Sequence, residues 1–439
     1  MYSYFLNKIL LPIGSVFFDG NYSNHLRQWK SFDTMTAEEL ELDQNKRLSK
    51  ILNYAAAKVP YYRNLNISAN AALNDFPILT KAILREASEA LISEEFKKEN
   101  LEKNHSSGSS GVQSFTYMTH AHKFYLRALQ THWWSWGGYN PGERLIQTGI
   151  SPHRSFPKKL KDIFFKTKYL EAFTLNRKNM LAVLNHSQNK KPKHLAGYPS
   201  ALNEMAKTAI SEGNSYPFKS LISYGDKLFD GYRSNFAQAF QDPLIVETYG
   251  CAEGPLMACK IDSPYYYIMS PHVYIEIVDN DGNPLKNGIR GNILVTCLSN
   301  FAMPLIRYKL GDLGVLLPKD QYPKYCKYKY PLLQEITGRE TDVIKAPNGN
   351  VLILHSFTGI MEYYQEIKQF KVIQVSKDKL LVEYIAKDSA AIPLLKQREI
   401  EEKLLKLADN SMRVQLKHVK NIAASPSGKP QLIEIRNIN

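Results

Sequence analysis

The stretch that decides the fold is "KSLISYGDKLFDGYRSNFAQAFQDPLIVETYGCAEG", residues 219–254. Two apolar runs, residues 219–228 and 243–250, favour buried strands, and residues 229–240 between them favour a helix. Strand, helix and strand in succession are typical of a parallel sheet covered by helices. Because ligand-binding groups collect at the carboxyl ends of such strands, Glu253, just after the second run, is a candidate site residue. The stretch therefore predicts an α/β fold with a site at this edge of the sheet.

The rest of the chain extends this pattern in both directions. Upstream, residues 36–39 form a capping box that starts a helix, and Val59-Pro60 ends that helix. From about residue 265 several strand-like runs follow one another, which predicts a β-rich subdomain on the same large domain. The last segment contains a hairpin, a helix and a strand, which indicates a small α+β domain. We predict a large multi-layer α/β domain at 1–337, a hinge at 338–342 and a small mobile α+β domain at 343–439.

The chain is basic, with 56 lysines and arginines against 42 acidic residues, a net charge of +14. This excess fits a solvated lysine surface, an anionic substrate or an anionic membrane face. The sequence has no DNA- or RNA-binding signature, so we expect no nucleic-acid partner. The apolar N-terminus, which carries Lys8, would either make a peripheral membrane contact or pack on the body of the protein.

Neither a membrane span nor a disulfide framework is indicated. No apolar run approaches the roughly 20 residues that span a bilayer, and the first segment lacks a small-residue cleavage site. The four cysteines are too few for a disulfide framework in 439 residues. We therefore expect a cytoplasmic protein.

The loop "SSGSSG", residues 106–111, has the chemistry of a phosphate cradle. Glycine lets backbone N–H groups approach an anion, and serine hydroxyls add further donors. It is not a Walker A loop, because the Gly-Lys-Ser/Thr ending is absent. By itself the loop is more typical of a linker or an ordinary loop.

Three further residues could complete a nucleotide site. Glu253 could hold magnesium between phosphate oxygens. Asp312, in "RYKLGD", is predicted in a tight turn, where its carboxylate could accept hydrogen bonds from a ribose diol. Lys429 lies on the Pro/Gly-rich loop "SPSGKP". Each of the three, taken alone, is also typical of an ordinary turn.

Five segments together resemble the adenylate-forming enzymes, a family of acyl-CoA ligases, luciferases and peptide-synthetase adenylation domains. "SSGSSG", "YGCAEG", "RYKLGD", "GRETD" and "PSGK" stand in that family's order, and the resemblance runs from about residue 36 to the end. It is closest to the phenylacetate–coenzyme A ligase branch, and within it to the CapK-type proteins of capsular polysaccharide gene clusters. "KVPYYRN", "FPILTKAILRE" and "NFAMPLIRYKLGDLG" also match this branch.

The resemblance implies an ATP- and acid-binding adenylation domain closed by a C-terminal lid, with a role for each matching residue. Glu253 would hold magnesium and Lys429 would reach the carboxylate and the α-phosphate, which makes these two the catalytic residues. Thr341 and Asp342 would lie at the hinge. The residues that would bind ATP or AMP are Ser106, Ser107, Gly108, Ser109, Ser110, Gly111, Gly225, Asp226, Tyr249, Gly250, Asp312 and Arg339. The acyl pocket would involve Tyr198, Tyr224, His272 and Met303.

The implied reaction joins a carboxylic acid to AMP, releases pyrophosphate and passes the acyl group to an acceptor. The cofactors would be ATP and magnesium, and the acceptor coenzyme A, a carrier-protein thiol or an amine, in polysaccharide or secondary metabolism. The alternatives are a catalytically weakened nucleotide-binding protein that supports a surface-polysaccharide assembly complex, and a basic membrane- or nucleic-acid-associated protein.

The sequence departs from the family pattern at three places. Val112 and Gln113 follow the loop where Lys-Pro is usual, Asp226 replaces a glutamate, and Thr341 stands at the usual hinge aspartate. Some relatives carry zinc near the segment that contains Cys251, Cys259, His272 and Cys297. This spacing lacks the tight Cys-x-x-Cys pairs of a structural zinc site. Packing of His272 in the core or in the acyl pocket is the alternative.

Overall fold

Among the residues that the structure describes, eleven strands form one sheet, in the order β10-β11-β12-β13-β9-β8-β7-β6-β5-β3-β4. In our computed structural model, β4, β3, β5, β6 and β7 are parallel, and the remaining strands continue the sheet in antiparallel pairs. The strands are β3 Leu145–Gly149, β4 Thr167–Glu171, β5 His194–Gly197, β6 Ser220–Ser223, β7 Leu244–Gly250, β8 Leu256–Lys260, β9 Tyr266–Ile268, β10 Val273–Val278, β11 Gly291–Cys297, β12 Tyr308–Leu316 and β13 Leu332–Arg339.

The structure describes most of the chain. The described residues are 2–11, 21–68, 70–105, 115–149, 155–171, 177–190, 193–225, 228–251, 253–339, 343–348, 351–353, 357, 360–361, 363–364, 366–388, 390–422 and 432–436.

Helices cover both faces of the parallel part of the sheet. The α-helices in the described residues are Tyr2–Phe5, Tyr22–Phe32, Ala37–Lys58, Pro60–Asn64, Lys81–Glu86, His120–Trp136, Phe156–Phe164, Arg177–Lys190, Pro199–Ser211, Asp230–Phe240 and Leu394–Leu407. Short 3₁₀ turns occur at Leu73–Asp75, Lys98–Asn100 and Lys319–Gln321, and a π-helical turn at Leu6–Leu10.

The parallel strands are buried on both faces because successive side chains point to opposite sides. On one face Ala196 and Ile222 pack in a core with Trp133. On the other face their neighbours Leu195 and Leu221 pack in a second core with residues of the helices Pro199–Ser211 and Asp230–Phe240. The continuous apolar runs in the sequence reflect this two-sided burial.

The capping box confirms the predicted start of the Ala37–Lys58 helix. The Thr36 hydroxyl accepts a hydrogen bond from the Glu39 N–H at 3.2 Å, and the Glu39 carboxylate accepts one from the Thr36 N–H at 2.8 Å. Val59 is the C-terminal cap, as the following proline predicted.

The C-terminal part has a sheet and core of its own. Its four strands follow the order β18-β17-β16-β19, with β16 Ile367–Ser376, β17 Lys379–Ala386, β18 Arg413–His418 and β19 Ile433–Ile435. The Leu394–Leu407 helix contributes Ile400 and Leu404 to a hydrophobic cluster that draws its buried members from residues 344–433. A two-stranded ribbon, β14 Val343–Lys345 and β15 Val351–Ile353, precedes this sheet.

The mixed α/β architecture predicted from the sequence is confirmed, since a large α/β sheet is followed by a small α+β unit. The domain limits at 337 and 343, and the mobility of the small unit, stay predictions.

The predicted tight turn at Asp312 is wrong. Asp312 lies inside β12, where it pairs with Arg339 on β13. Gly311, next to it, has φ +83°, a backbone conformation that favours glycine and is common in turns. Here Gly311 lies within a continuous strand, where the register of pairing with the neighbouring strands shifts.

Candidate active site

Glu253 lies three residues beyond the end of β7, at the carboxyl edge of the parallel strands. Its side chain is buried, and its Oε1 accepts a hydrogen bond from the Tyr308 hydroxyl at 3.0 Å. Burial, and then the charge of Glu253, raise the pKa of both the Tyr308 hydroxyl and the Cys251 thiol. Both groups therefore stay protonated at neutral pH.

The ends of the predicted phosphate loop meet this edge. Strands β1 (Glu102–His105) and β2 (Phe115–Met118) form an antiparallel pair in which His105 faces Phe115. The Thr116 hydroxyl donates to the Glu253 carbonyl oxygen at 2.7 Å. At Gly254 (φ +128°) a Cβ would stand 3.3 Å from Met118 Cε and 3.8 Å from Asn104 Nδ2. The β1–β2 pair, whose strands flank "SSGSSG" in the sequence, is therefore packed against the Glu253 loop.

Tyr249 and Asp312 form a second polar pair on the same edge. The Tyr249 hydroxyl donates to Asp312 Oδ2 at 2.7 Å. Burial, followed by the charge of Asp312, raises the pKa of Tyr249 well above its ordinary value. Asp312 is partly exposed, and it pairs with Arg339, the last residue of β13, across β12 and β13.

Two tyrosines predicted for the acyl pocket are neighbours. The rings of Tyr198 and Tyr224 meet edge to face, with centroids 5.6 Å apart. The Tyr224 hydroxyl donates to the Thr148 carbonyl at 2.6 Å and accepts from Gln147 Nε2 at 3.2 Å. Gly225 has φ +88°, and a Cβ there would approach Tyr198 Cε1 to 2.3 Å, so only glycine fits.

His272 and Met303 lie in the packed interior, and both side chains are fully buried. The two ring nitrogens of His272 contact the Leu256 N–H at 3.4 Å and the Ser299 hydroxyl at 2.7 Å. Burial, followed by the neighbouring His122, lowers the pKa of His272 well below its ordinary value, so its ring is neutral. The Met303 sulfur accepts from the Tyr117 N–H at 3.3 Å. This position agrees with the core alternative stated for His272.

The cysteines are distributed over separate environments. Cys259 packs in the cluster around Trp133, and Cys297 packs in a different cluster with Val295. Within the described residues, which include His272 and all four cysteines, no three His, Cys, Asp or Glu side chains are grouped to hold a metal ion.

Several predicted site residues lie outside the described residues. They are Ser106, Ser107, Gly108, Ser109, Ser110, Gly111, Asp226, Thr341, Asp342 and Lys429. Their roles stay predictions.

Sequence reasoning missed Thr116 and Tyr308 as parts of the site. Thr116 follows the predicted phosphate loop in the sequence, and Tyr308 lies inside "RYKLGD". Their hydroxyl groups support Glu253 through contacts 137 and 55 residues apart in the chain, which no local pattern could reveal.

The fold is that of coenzyme A ligases that work through an acyl-adenylate. A 2-hydroxyisobutyryl-CoA ligase, solved in the postadenylation state with R3-HIB-AMP, superimposes with a TM-score of 0.72 over 92% of this chain and 91% of that chain, at 19% identity. An open conformation of the same ligase, solved with 2-HIB-AMP and CoA, gives a TM-score of 0.60.

In sequence the chain is similar to phenylacetate–coenzyme A ligases. It is 26% identical to the ligase of Escherichia coli (strain K12) over 207 residues, 44% of this chain and 46% of that protein. It is 22% identical to the ligase of Thermus thermophilus over 364 residues, 76% of this chain and 79% of that protein. The chain thus spans about half the length of the first relative. No family model matches it.

Proposed function

We propose that this protein is an AMP-forming ligase that activates a carboxylic acid with ATP and transfers the acyl group to an acceptor. The observation that carries the proposal is the convergence at one sheet edge of the Glu253 loop, the strands β1 and β2 that flank "SSGSSG" in the sequence, and the Tyr249–Asp312 pair. Donors for phosphates, a buried carboxylate and an acceptor for a ribose are the groups that an ATP site requires.

In the first step a carboxylate oxygen of the acid attacks the α-phosphorus of ATP. The bond from that phosphorus to the bridging oxygen breaks, and pyrophosphate leaves with the electron pair. In the second step the acceptor attacks the acyl carbon, and AMP leaves. Because the two reacting groups are both anions, the protein must chiefly hold them together and offset their charge.

The residues divide this work. Glu253 is fixed by the Tyr308 hydroxyl at its carboxylate and by the Thr116 hydroxyl at its backbone carbonyl. Its carboxylate would hold magnesium, which when bound neutralises phosphate charge. Its buried carboxylate fits that cation because Mg²⁺ prefers oxygen ligands, and the Tyr308 hydroxyl, which donates to Oε1, orients it. Asp312 would accept hydrogen bonds from the ribose, oriented by the Tyr249 hydroxyl. Lys429, in the C-terminal part, would neutralise charge between the carboxylate and the α-phosphate.

Coenzyme A is the acceptor that we favour, because the structural neighbour was solved with CoA and a related adenylate. A carrier-protein thiol and an amine are the other acceptors to test. A place in polysaccharide or secondary metabolism rests on the resemblance to the CapK-type proteins, and a cytoplasmic location stays a prediction from the sequence. Among the described residues, none of the helices is both long and apolar enough to cross a bilayer.

The experiment is a screen of carboxylic acids for pyrophosphate release, with hydroxylamine present to trap the adenylate. We expect at least one acid to give both pyrophosphate and a hydroxamate. Glu253→Gln keeps an oxygen for Tyr308 but removes the charge, so it should lower the rate by about 100-fold. The matched control, Glu204→Gln, makes the same change at an exposed glutamate on the Pro199–Ser211 helix. It should leave the rate unchanged.

Two outcomes would contradict the proposal. ATP binding without pyrophosphate release for any acid would favour the alternative of a weakened nucleotide-binding protein. Full activity of the Glu253→Gln enzyme at ordinary magnesium levels would remove Glu253 from the reaction.

A further inference from the structure

The Phe156–Phe164 helix turns its apolar side toward solvent. Phe156, Leu160, Ile163 and Phe164 recur at the spacing of one helical face, and we call these four residues the apolar stripe. Phe156 is 78% exposed and Ile163 73% exposed, and the other two are also exposed. A surface helix normally buries such a face against the core, so an exposed apolar stripe marks an interaction surface.

Lysines border the apolar stripe. Between residues 156 and 168 the chain carries five lysines and a single acidic residue, Asp162. All five lysines are exposed, namely Lys158, Lys159, Lys161, Lys166 and Lys168. The helix therefore combines an apolar face with cationic flanks, the composition of helices that lie in the plane of an anionic membrane surface.

The N-terminal segment extends this surface. The Tyr2 hydroxyl donates to the Phe164 carbonyl at 2.7 Å, and the Lys166 ammonium lies 3.9 Å from the centre of the Tyr2 ring. Asn7 Nδ2 donates to the Pro141 carbonyl at 3.0 Å, which fastens the segment to the body. Tyr4, 70% exposed, and Phe5, 44% exposed, are two exposed aromatic residues of the same segment.

We propose that the apolar stripe and the N-terminal segment form a docking surface for a bilayer containing anionic lipids. The aromatic and aliphatic side chains would enter the boundary between headgroups and acyl chains, and the lysines would pair with lipid phosphates. A second copy of this chain fits less well, because the lysine borders of two copies would face each other and repel. This surface is independent of the proposed ligase activity.

The test measures flotation of the full chain with vesicles of phosphatidylcholine, with and without about 30 mol% phosphatidylglycerol. We expect binding to the anionic vesicles, weaker binding to the neutral ones, and release as salt rises to about 0.5 M. The double variant Phe156→Ser/Ile163→Ser should bind anionic vesicles about tenfold more weakly. The matched control Leu394→Ser/Leu395→Ser removes two equally exposed apolar side chains from another helix and should bind as the parent does.

A charge test separates the lysines from the apolar side chains. Lys159→Glu should weaken binding to anionic vesicles alone, whereas Lys286→Glu, an exposed lysine in a distant turn, should not. Pyrophosphate release by the stripe variants should match that of the parent, which shows that they fold.

Three results would overturn the proposal. The first is that the chain binds neither kind of vesicle. The Phe156→Ser/Ile163→Ser variant could bind as tightly as the parent. Light scattering could also reveal a dimer that this variant abolishes, which would assign the stripe to a contact between two copies.

Discussion

Asp312 accepts a hydrogen bond from the Tyr249 hydroxyl at one of its two carboxylate oxygens. In the proposed function this carboxylate also accepts hydrogen bonds from the ribose of ATP. Asp312 should therefore affect which nucleotides the protein prefers.

We predict that Asp312→Ala weakens ATP binding by about one to two decades. Loss of a charged hydrogen-bond partner costs about 1.5–3 kcal/mol. The parent should prefer ATP over 2′-deoxy-ATP, and the variant should lose that preference. Calorimetric titration with both nucleotides measures this.

Tyr249→Phe is the control for Asp312. It keeps the carboxylate and removes only the hydroxyl, so ATP binding should weaken less than in Asp312→Ala. If both nucleotides bind Asp312→Ala as tightly as the parent, Asp312 serves only its strand pairing with Arg339.

At the scale of elements, the Ala37–Lys58 helix shows how a local signal supports a distant contact. Its N-terminal cap is formed by Thr36 and Glu39, two residues of one four-residue segment. Further along, Gln44 Nε2 donates in the interior to the carbonyl of Val273, the first residue of β10, at 2.8 Å. The helix therefore ties the N-terminal region to the central sheet.

We predict that Thr36→Ala lowers the free energy of unfolding by about 1 kcal/mol, because the Glu39 N–H loses its side-chain acceptor. Urea denaturation followed by circular dichroism measures the change. Thr36→Ser keeps the hydroxyl and should retain most of the stability. Equal stability of the serine and alanine variants would show that the capping hydrogen bond contributes nothing.

At the scale of the whole molecule, the C-terminal unit has its own sheet and its own hydrophobic cluster. A unit with a separate core can change its orientation without loss of packing. In the proposed function this allows Lys429 to enter the site for adenylation and to leave it for acyl transfer.

We predict that Lys429→Ala slows adenylate formation by about 10²–10³-fold. Transfer from a chemically supplied acyl-adenylate to the acceptor should keep its rate, because the lysine is then away from the site. Pre-steady-state measurement of each half-reaction tests this. Lys420→Ala, an exposed lysine on the same unit, is the matched control. Equal losses in both steps would argue against reorientation, and no loss in the first step would remove Lys429 from the site.

The sequence by itself determined the features that depend on neighbouring residues. Local periodicity and turn chemistry predict the capping box, the strand–helix–strand order around residues 219–254 and the C-terminal hairpin. The structure contains all three. The position of Glu253 just after β7 was predicted for the same reason.

Only the tertiary structure decided which distant residues meet. Tyr308 reaches Glu253, Tyr249 reaches Asp312, and Thr116 packs on the Glu253 loop because the sheet order brings separate strands to one edge. The sequence also did not reveal that Asp312 lies in a strand or that the Phe156–Phe164 helix exposes its apolar side. Asp312 lies in a strand because β13 pairs with that segment, and the apolar side of the helix is exposed because it faces solvent. Periodicity along the chain does not reveal what an element packs against.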